Sequence, residues 1–259
     1  MPSATKWAFV LFLISTAKTL PFAYIFRFYY LVFRNLALPR LQYLKIKKNT
    51  FGYGKNPLDI FEPVLYHTYV LPLEIDMYLH KLNLTYFVDL DIARTELVTK
   101  IFQTLFYRYY DNDVKLFQSS RKMKNIPYIP VAATETYYKK ELTVFLPFEI
   151  RSCFLTWDKK WIFVLLKFIT KSKGQEIVYS HTSTKYVFKR GRITIPPADI
   201  LKECGYDSPE VHHRAAKQFH LCQQLSDTSE LDEIVNSFWD KSEMLEFEDE
   251  NTGTSVNML

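Results

Sequence analysis

The most apolar stretch of the chain lies near its N terminus, at residues 7–33. About 20 apolar residues suffice to cross a bilayer, but Lys18, Pro21 and Arg27 interrupt this stretch. We therefore expect a membrane anchor over residues 1–40. It is either one tilted span, with Lys18 and Arg27 reaching for the interface, or an amphipathic segment lying in the interface. The alternative is an aromatic-rich helix that packs on the folded domain.

A change of hydrophobic period then separates a helix from a set of strands. Residues 85–106 repeat apolar positions every three or four residues without Gly or Pro, which predicts one long helix capped by Asn83 or Thr85. Strands rich in β-branched and aromatic residues are predicted around it. They cover residues 65–72, 114–120, 128–138, 142–156, 160–170 and 175–189. Helices are predicted at residues 197–204, 209–224 and 229–240, before a disordered tail at 249–259.

This order of elements predicts an α+β fold. A single helix that follows the first strand of an antiparallel sheet must bury its apolar face on that sheet. We therefore expect an antiparallel sheet wrapped around one long central helix, in a domain covering residues 41–205. Residues 206–259 would form a helical extension and an acidic, disordered tail.

The net charge of +5 hides an asymmetry between the body and the tail. Residues 226–259 contain ten acidic residues and one lysine, a formal charge of −9, which leaves +14 on the rest. A basic body favours an anionic partner such as a membrane surface or a phosphate-bearing ligand. The chain has only six glycines, and its three cysteines lack ligand spacing. We therefore predict no nucleotide-binding glycine loop, no metal site and no bound cofactor, and nucleic acid is not an expected partner.

Residues 67–98 carry a pattern of the type D-x-D-x-N-x-H-x-N-N-x-x-Y. Asp76, His80, Asn83 and Tyr86 match it without a gap, while Glu74, Tyr78 and Leu82 depart from it. This segment resembles hotdog-fold thioesterases, specifically a fungal member of the eukaryotic branch with one hotdog domain behind a hydrophobic N terminus. Supporting positions further along are Asp91, Ala93, Arg94, Leu97, Phe145, Pro147, Phe148, Arg151, Trp157 and Asp158.

The resemblance implies the hydrolysis of an acyl-CoA thioester at the start of the central helix. It places Asp76 in the loop before that helix, where a carboxylate activates water or attacks the thioester. Asn83 would orient the water or the carbonyl, and His80 would position Asp76 or contact the substrate. Free backbone amides at the helix start would polarise the carbonyl. The second group of candidates is Glu74, Tyr86, Asp91 and Arg94, with an Asp91–Arg94 ion pair as the structural alternative.

The resemblance also implies partners and a location. Coenzyme A enters as part of the substrate, and its phosphates would meet basic residues. The candidates for that contact are Arg121, Lys122, Lys124, Lys139 and Lys140. A homodimer is expected, at the endoplasmic reticulum membrane with the body facing the cytosol, another membrane-associated compartment being the alternative.

Two departures from the pattern keep a second hypothesis open. Tyr78 and Leu82 replace hydrogen-bonding amides with bulky groups, so the chain could instead be a non-catalytic acyl-binding or scaffolding protein at the endoplasmic reticulum. An open cleft that reaches Asp76 favours the enzyme, and side chains that fill the space before the helix favour the binder. Dehydration of an acyl thioester on the same fold is a third, weaker reading.

Overall fold

The computed structural model describes residues 4–113, 126–172 and 174–219. Its strands are β1 (Val64–Tyr69), β2 (Val131–Tyr138), β3 (Pro147–Trp157), β4 (Trp161–Ser172), β5 (Gln175–Arg190) and β6 (Ile193–Ile195). Its α-helices are α1 (Ala4–Thr16), α2 (Ala23–Val32), α3 (Arg40–Ile46), α4 (Asn83–Ile101), α5 (Gln103–Asp111), α6 (Pro197–Cys204) and α7 (Pro209–Gln218). A π-helical turn follows α2 at Phe33–Ala37, and 3-10 turns lie at Pro57–Phe61 and Pro72–Glu74. The strand predicted at 114–120, the helix at 229–240 and the tail at 249–259 fall outside the described residues.

The strands form one antiparallel sheet in the order β1-β3-β4-β5-β2, with β6 paired to β5. Short hairpins join β3 to β4 and β4 to β5, as the turn residues predicted. At the first hairpin, Asp158 Oδ1 accepts the N–H groups of Lys160 (2.7 Å) and Trp161 (2.6 Å), which closes the turn. Strand β6 is a short addition that the sequence pattern did not predict. Among the described strands, β1 and β2 are the two edges of the sheet.

The central helix lies against this sheet and fills the core. Its apolar face contributes Leu90, Ala93, Leu97 and Ile101, each at most 6% exposed, to a cluster with side chains of β3 and β4. The sheet side of that cluster includes Phe148, Ile150, Phe154, Val164, Leu166 and Phe168. Together with the strand order, this arrangement confirms the predicted hotdog fold.

The bounds of the central helix differ from the prediction in two ways. The helix begins at Asn83 with Leu82 as its N-cap residue, so neither Asn83 nor Thr85 caps it. It also ends at Ile101, because Phe102 leaves the helical conformation (φ −98°, ψ 24°) and a second helix starts at Gln103. The fully buried ring of Phe102 packs edge-on against the rings of Phe188 and Tyr206, a tertiary contact that no local pattern displays.

The N-terminal segment packs on the central helices. Asn35 Nδ2 donates to Thr99 Oγ1 (2.8 Å) and to Glu96 Oε2 (3.0 Å), and Gln103 Nε2 donates to Asn35 O (2.9 Å). No helix within the described residues is long and apolar enough to cross a membrane. The apolar stretch at residues 7–33 is divided between α1 and α2, and α2 packs on α4. This packing is the arrangement of the alternative prediction, an aromatic-rich helix on the folded domain.

Lys18 and Arg27, which interrupt the apolar stretch, enter a buried ion cluster centred on Asp89 of α4. Asp89 Oδ1 accepts from Arg27 Nη2 (2.7 Å), while Oδ2 accepts from Lys81 Nζ (2.9 Å) and Lys18 Nζ (3.2 Å). Glu74 binds the same two lysines, at 2.9 Å from Lys18 and 3.3 Å from Lys81. The side chains of Lys81 and Asp89 are fully buried.

The cluster fixes the ionisation of its central carboxylate. Burial raises the pKa of Asp89, but Lys81, Lys18 and Arg27 together outweigh burial and lower that pKa below its ordinary value. The cluster holds three cations and two carboxylates, so it carries one excess positive charge. Removing a carboxylate should therefore cost more stability than removing Lys18.

We expect Asp89→Asn to lower the free energy of unfolding by about 3–5 kcal/mol at neutral pH, because it leaves buried cations uncompensated. Lys18→Met leaves two cations facing two carboxylates and should cost about 1–2 kcal/mol. Urea unfolding measures both values. The control is Glu176→Gln on an exposed ion pair with Lys167, which should cost less than about 1 kcal/mol.

Equal losses for the Asp89 and Lys18 variants would contradict charge balance as the source of the stability. A pH series adds a second check. Because the pKa of Asp89 is lower in the folded chain than in the unfolded one, its contribution is complete above about pH 4 and is lost as the pH falls further.

Candidate active site

The loop between the Pro72–Glu74 turn and α4 is a compact turn that presents Asp76. The Asp76 N–H donates to His80 O (2.8 Å), and the Leu79 N–H donates to Asp76 O (3.1 Å). Asp76 Oδ1 accepts the N–H groups of Tyr78 (2.9 Å) and His80 (3.2 Å). Both hydrogen bonds to the carboxylate use the same oxygen, so the turn fixes the side chain while Oδ2 is left out of this network.

The start of α4 lies next to this turn. The Leu82 N–H donates to Glu74 O (2.7 Å), and the Thr85 N–H donates back to Leu82 O (2.9 Å). The amides of Asn83 and Leu84 therefore stand in the first turn, where a helix offers no internal acceptor. They carry the partial positive charge of the helix N terminus, which favours an oxyanion.

Asp76 and Asn83 line one cavity, which we call the site cavity. Its volume is about 240 Å³. The residues around it are Asp76, His80, Lys81, Asn83, Tyr86, Tyr138, Lys139, Lys140 and Glu141. The three predicted catalytic residues, Asp76, His80 and Asn83, are thus brought together. Tyr78 and Leu82 do not line the cavity; Tyr78 is 71% exposed and points away from the packed interior.

The imidazole of His80 and the phenol rings of Tyr86 and Tyr138 complete the wall of the site cavity. His80 Nε2 lies 3.9 Å from Glu141 Oε2, so a protonated ring would form an ion pair with this carboxylate. The ring of Tyr86 packs edge-on against that of Tyr138, with centroids 5.0 Å apart. Burial raises the pKa of Tyr86, although a hydrogen bond with the backbone of Leu142 opposes the shift. Tyr86 therefore stays a neutral phenol.

Two of the five predicted coenzyme A contacts lie on this cavity. Lys139 and Lys140 are exposed and form part of its rim, and both backbone N–H groups donate to Tyr179 O, at 2.8 and 3.1 Å. This shared acceptor holds the two lysines beside the cavity. Arg121, Lys122 and Lys124 fall outside the described residues.

The remaining candidates have other surroundings. Glu74 is buried, accepts the Leu71 N–H (2.8 Å) and belongs to the ion cluster, so it does not line the site cavity. Asp91 and Arg94 form an ion pair two to three helical turns beyond Asn83, and the Tyr24 hydroxyl donates to Asp91. The Arg94 guanidinium also lies 5.1 Å from the ring centre of Tyr186. These contacts fit the predicted structural alternative.

The sequence did not single out Lys81, Tyr138 or Glu141, which also line the site cavity. Lys81 follows directly after His80 in the motif, but only the fold shows that its ammonium group is buried against Asp89. Tyr138 and Glu141 come from the end of β2 and the loop after it, and they reach the site through strand pairing. Within the described part of the chain, no group of three or more His, Cys, Asp or Glu side chains is placed to hold a metal ion.

Comparison with known proteins adds sequence relatives over most of the chain. The probable thioesterase YBR096W of Saccharomyces cerevisiae is 41% identical over 206 residues, which are 80% of this chain and 82% of the yeast protein. The thioesterase lcsJ of Purpureocillium lilacinum is 33% identical over 160 residues, covering 58% of this chain and half of that protein. No protein-family model matches the sequence.

Solved structures resemble the chain more distantly. The probable thioesterase YbaW of Escherichia coli aligns with a TM-score of 0.42 at 12% identity, over 56% of this chain and 96% of that one. The 4-hydroxybenzoyl CoA thioesterase of Pseudomonas sp. strain CBS-3 aligns with a TM-score of 0.38 at 14% identity, over 55% and 99%. The yeast relative spans most of both chains, and the sheet and central helix have the hotdog arrangement. The chain therefore belongs to the hotdog-fold thioesterase family.

Proposed function

We propose that this protein is an acyl-CoA thioesterase whose reaction takes place in the site cavity. The observation that carries the proposal is an open cavity of about 240 Å³ with Asp76 and the start of α4 on its wall. The bulky residues that depart from the family pattern, Tyr78 and Leu82, do not occupy it. Family membership supports the same activity, since the yeast relative is described as a probable thioesterase.

The chemistry follows from the groups around the cavity. Asp76 removes a proton from a water molecule as the water oxygen attacks the thioester carbonyl carbon. The amides of Asn83 and Leu84 stabilise the negative charge that develops on the carbonyl oxygen. When the carbon–sulfur bond breaks, the thiolate of coenzyme A leaves and takes up a proton, and a carboxylic acid remains. Direct attack by Asp76, followed by hydrolysis of the anhydride, uses the same residues.

The rim of the cavity suits the phosphates of coenzyme A. The ammonium groups of Lys139 and Lys140 are exposed at the mouth and carry two positive charges. Flexible, hydrated ammonium groups bind phosphate as point charges and attract it over a Debye length of about 10 Å at 0.1 M salt. We assign these lysines to substrate capture rather than to the chemical step.

The alternative is a non-catalytic acyl-binding or scaffolding protein with the same fold, in which Asp76 does not promote hydrolysis. It would bind an acyl-CoA in the site cavity and release no thiol. The open cavity favours the enzyme, and a turnover measurement separates the two functions.

We also propose a homodimer formed through β2. This strand is an edge of the sheet, and its exposed side chains include Val131 (48%), Tyr137 (60%) and Tyr138 (43%). An exposed edge strand is a template for pairing with another chain. Light scattering should give a particle mass near twice 30.8 kDa, and a monomeric mass would contradict the proposal.

The N-terminal helices are proposed to lie on an anionic membrane surface, with the endoplasmic reticulum as the location. Their outer face carries large apolar side chains, including Phe22 (70% exposed), Phe26 (73%) and Leu41 (75%). Exposed apolar patches of this kind mark binding surfaces. Lys45 in the last turn of α3, and Lys47 and Lys48 directly after it, would add electrostatic attraction to anionic lipid.

We expect Asp76→Asn to lower kcat for acyl-CoA hydrolysis by about 10²–10⁴-fold, the usual contribution of a general base. The asparagine keeps an oxygen that accepts the Tyr78 and His80 N–H groups, so the turn is preserved. Thiol release from a panel of acyl-CoAs measures the rate, and Asp207→Asn on the exposed surface is the matched control. Equal rates for wild type and Asp76→Asn would remove Asp76 from the mechanism. Absence of turnover in the wild type, with acyl-CoA still bound, would support the alternative function.

Replacing both rim lysines, Lys139→Gln with Lys140→Gln, should raise KM for acyl-CoA about tenfold at low salt and leave kcat within twofold. The reason is that capture of the phosphates loses its electrostatic term, which salt screens. The effect should therefore shrink as ionic strength rises. A control pair, Lys159→Gln with Lys202→Gln, changes the net charge equally at exposed positions away from the cavity. An equal rise in KM for the control pair would assign the effect to overall charge.

Flotation with vesicles of phosphatidylcholine and phosphatidylserine should recover the wild-type protein in the lipid fraction. Phe26→Ser should weaken binding at least tenfold, because burying a Phe side chain contributes about 1.5–3 kcal/mol. Ile193→Ser on β6, at a residue that is 56% exposed, is the control. Equal flotation of both variants would place the membrane contact elsewhere.

A further inference from the structure

Three cavities follow one another along α4, in the seam between that helix and residues 126–141. The first is the site cavity. The second, which we call the middle cavity, has a volume of about 210 Å³ and includes Phe87, Leu90 and Arg94 of α4 together with Val131 and Thr134 of β2. The third, the far cavity, has about 460 Å³ and includes Arg94, Thr95 and Val98 together with Ile129 and Pro130. Arg94 belongs to both the middle and the far cavity.

The order of the lining residues shows that the three cavities lie in sequence along α4. Positions on α4 rise from Asn83 to Val98 as positions on the opposite wall fall from Glu141 to Ile129. At 1.5 Å per helical residue, the distance from Asn83 to Val98 is about 22 Å. A short acyl group attached at the site cavity would therefore stay near Asp76, and only a long-chain acyl group such as palmitoyl would be long enough to approach the far cavity.

The far cavity is apolar, and the N-terminal helices form one of its walls. Its outer wall consists of Phe28, Tyr29, Val32 and Leu36, from α2 and the turn that follows it. Cavities of about 300–1,000 Å³ lined by apolar side chains are typical of ligand sites. An apolar cavity of only about 150 Å³ already stays dry and binds benzene.

The two threonines of α4 that border the far cavity already form hydrogen bonds. Thr95 Oγ1 donates to Asp91 O (2.9 Å), and Thr99 Oγ1 donates to Thr95 O (2.6 Å) while accepting from Asn35 Nδ2. Asp91 pairs with Arg94, the residue that lines both the middle and the far cavity. The hydroxyl groups of Thr95 and Thr99 therefore need no hydrogen bond from a ligand, and an apolar group can occupy the cavity beside them.

We infer that the far cavity binds the distal part of a long acyl chain, and that the N-terminal helices thereby set the chain-length preference of the site. This inference rests on the proposed thioesterase function and names its substrate class, a long-chain acyl-CoA. The site cavity takes the thioester, the middle cavity takes the proximal methylenes, and Val32 and Leu36 contact the terminal ones.

The test narrows the far cavity from its N-terminal wall. Leu36→Trp fills the cavity, and Leu38→Trp, two residues along the chain at a 60% exposed position, is the matched control. We expect Leu36→Trp to lower kcat/KM for palmitoyl-CoA at least tenfold and to leave the value for butyryl-CoA within twofold. Leu38→Trp should change neither value. Val32→Phe is a second variant of the same wall, should Leu36→Trp fail to fold.

A binding measurement without hydrolysis separates the inference from the proposed function. The thioethers S-hexadecyl-CoA and S-butyl-CoA cannot be hydrolysed, and calorimetry gives their affinities. Tighter binding of the hexadecyl compound, lost in Leu36→Trp and kept in Leu38→Trp, supports the far cavity even if the wild type releases no thiol. Equal affinity for both thioethers, or an equal response of short and long acyl-CoAs to Leu36→Trp, would overturn the inference while thiol release still upholds the enzyme.

Discussion

The structure depends on one buried carboxylate, that of Asp89. Its oxygens accept hydrogen bonds from Lys81, which lies in the loop that presents Asp76, and from Lys18 and Arg27 of the N-terminal segment. Buried charges are tolerated only when they are paired, so the pairing of these groups requires one arrangement of the N-terminal segment, the loop and α4. Because Lys81 also lines the site cavity, the N-terminal helices and the candidate active site share a common support.

The cavities that border α4, the helix that carries Asp89, change from polar to apolar along its length. At its start, the free amides and Asp76 border a charged cavity; toward its end, Thr95 and Val98 border an apolar one. The residues that turn inward to the sheet, such as Ala93 and Leu97, hold α4 in the core and are excluded from both cavities. The seam therefore has a polar end and an apolar end, as an acyl thioester has.

Local pattern predicted much of this fold, and long-range pairing accounts for what it missed. The switch from helical to alternating periodicity predicted the sheet and the helix, and the motif grouped Asp76, His80 and Asn83, which line one cavity. Lys18 and Arg27 looked like interruptions of a membrane span, because their partner Asp89 lies more than sixty residues away. Their apolar neighbours gave no sign of that pairing.

The two faces of the N-terminal helices explain the composition that made the segment resemble an anchor. On the inner face, Phe28 and Val32 line the far cavity, and on the outer face Phe26 is exposed. Tyr29 belongs to both, since it is 63% exposed and also lines the cavity. The mouth of the far cavity therefore opens at the apolar surface. If that surface lies on lipid, the hydrocarbon end of the seam lies closest to the membrane, and the charged end with Lys139 and Lys140 opens about 22 Å further along α4, where coenzyme A is soluble.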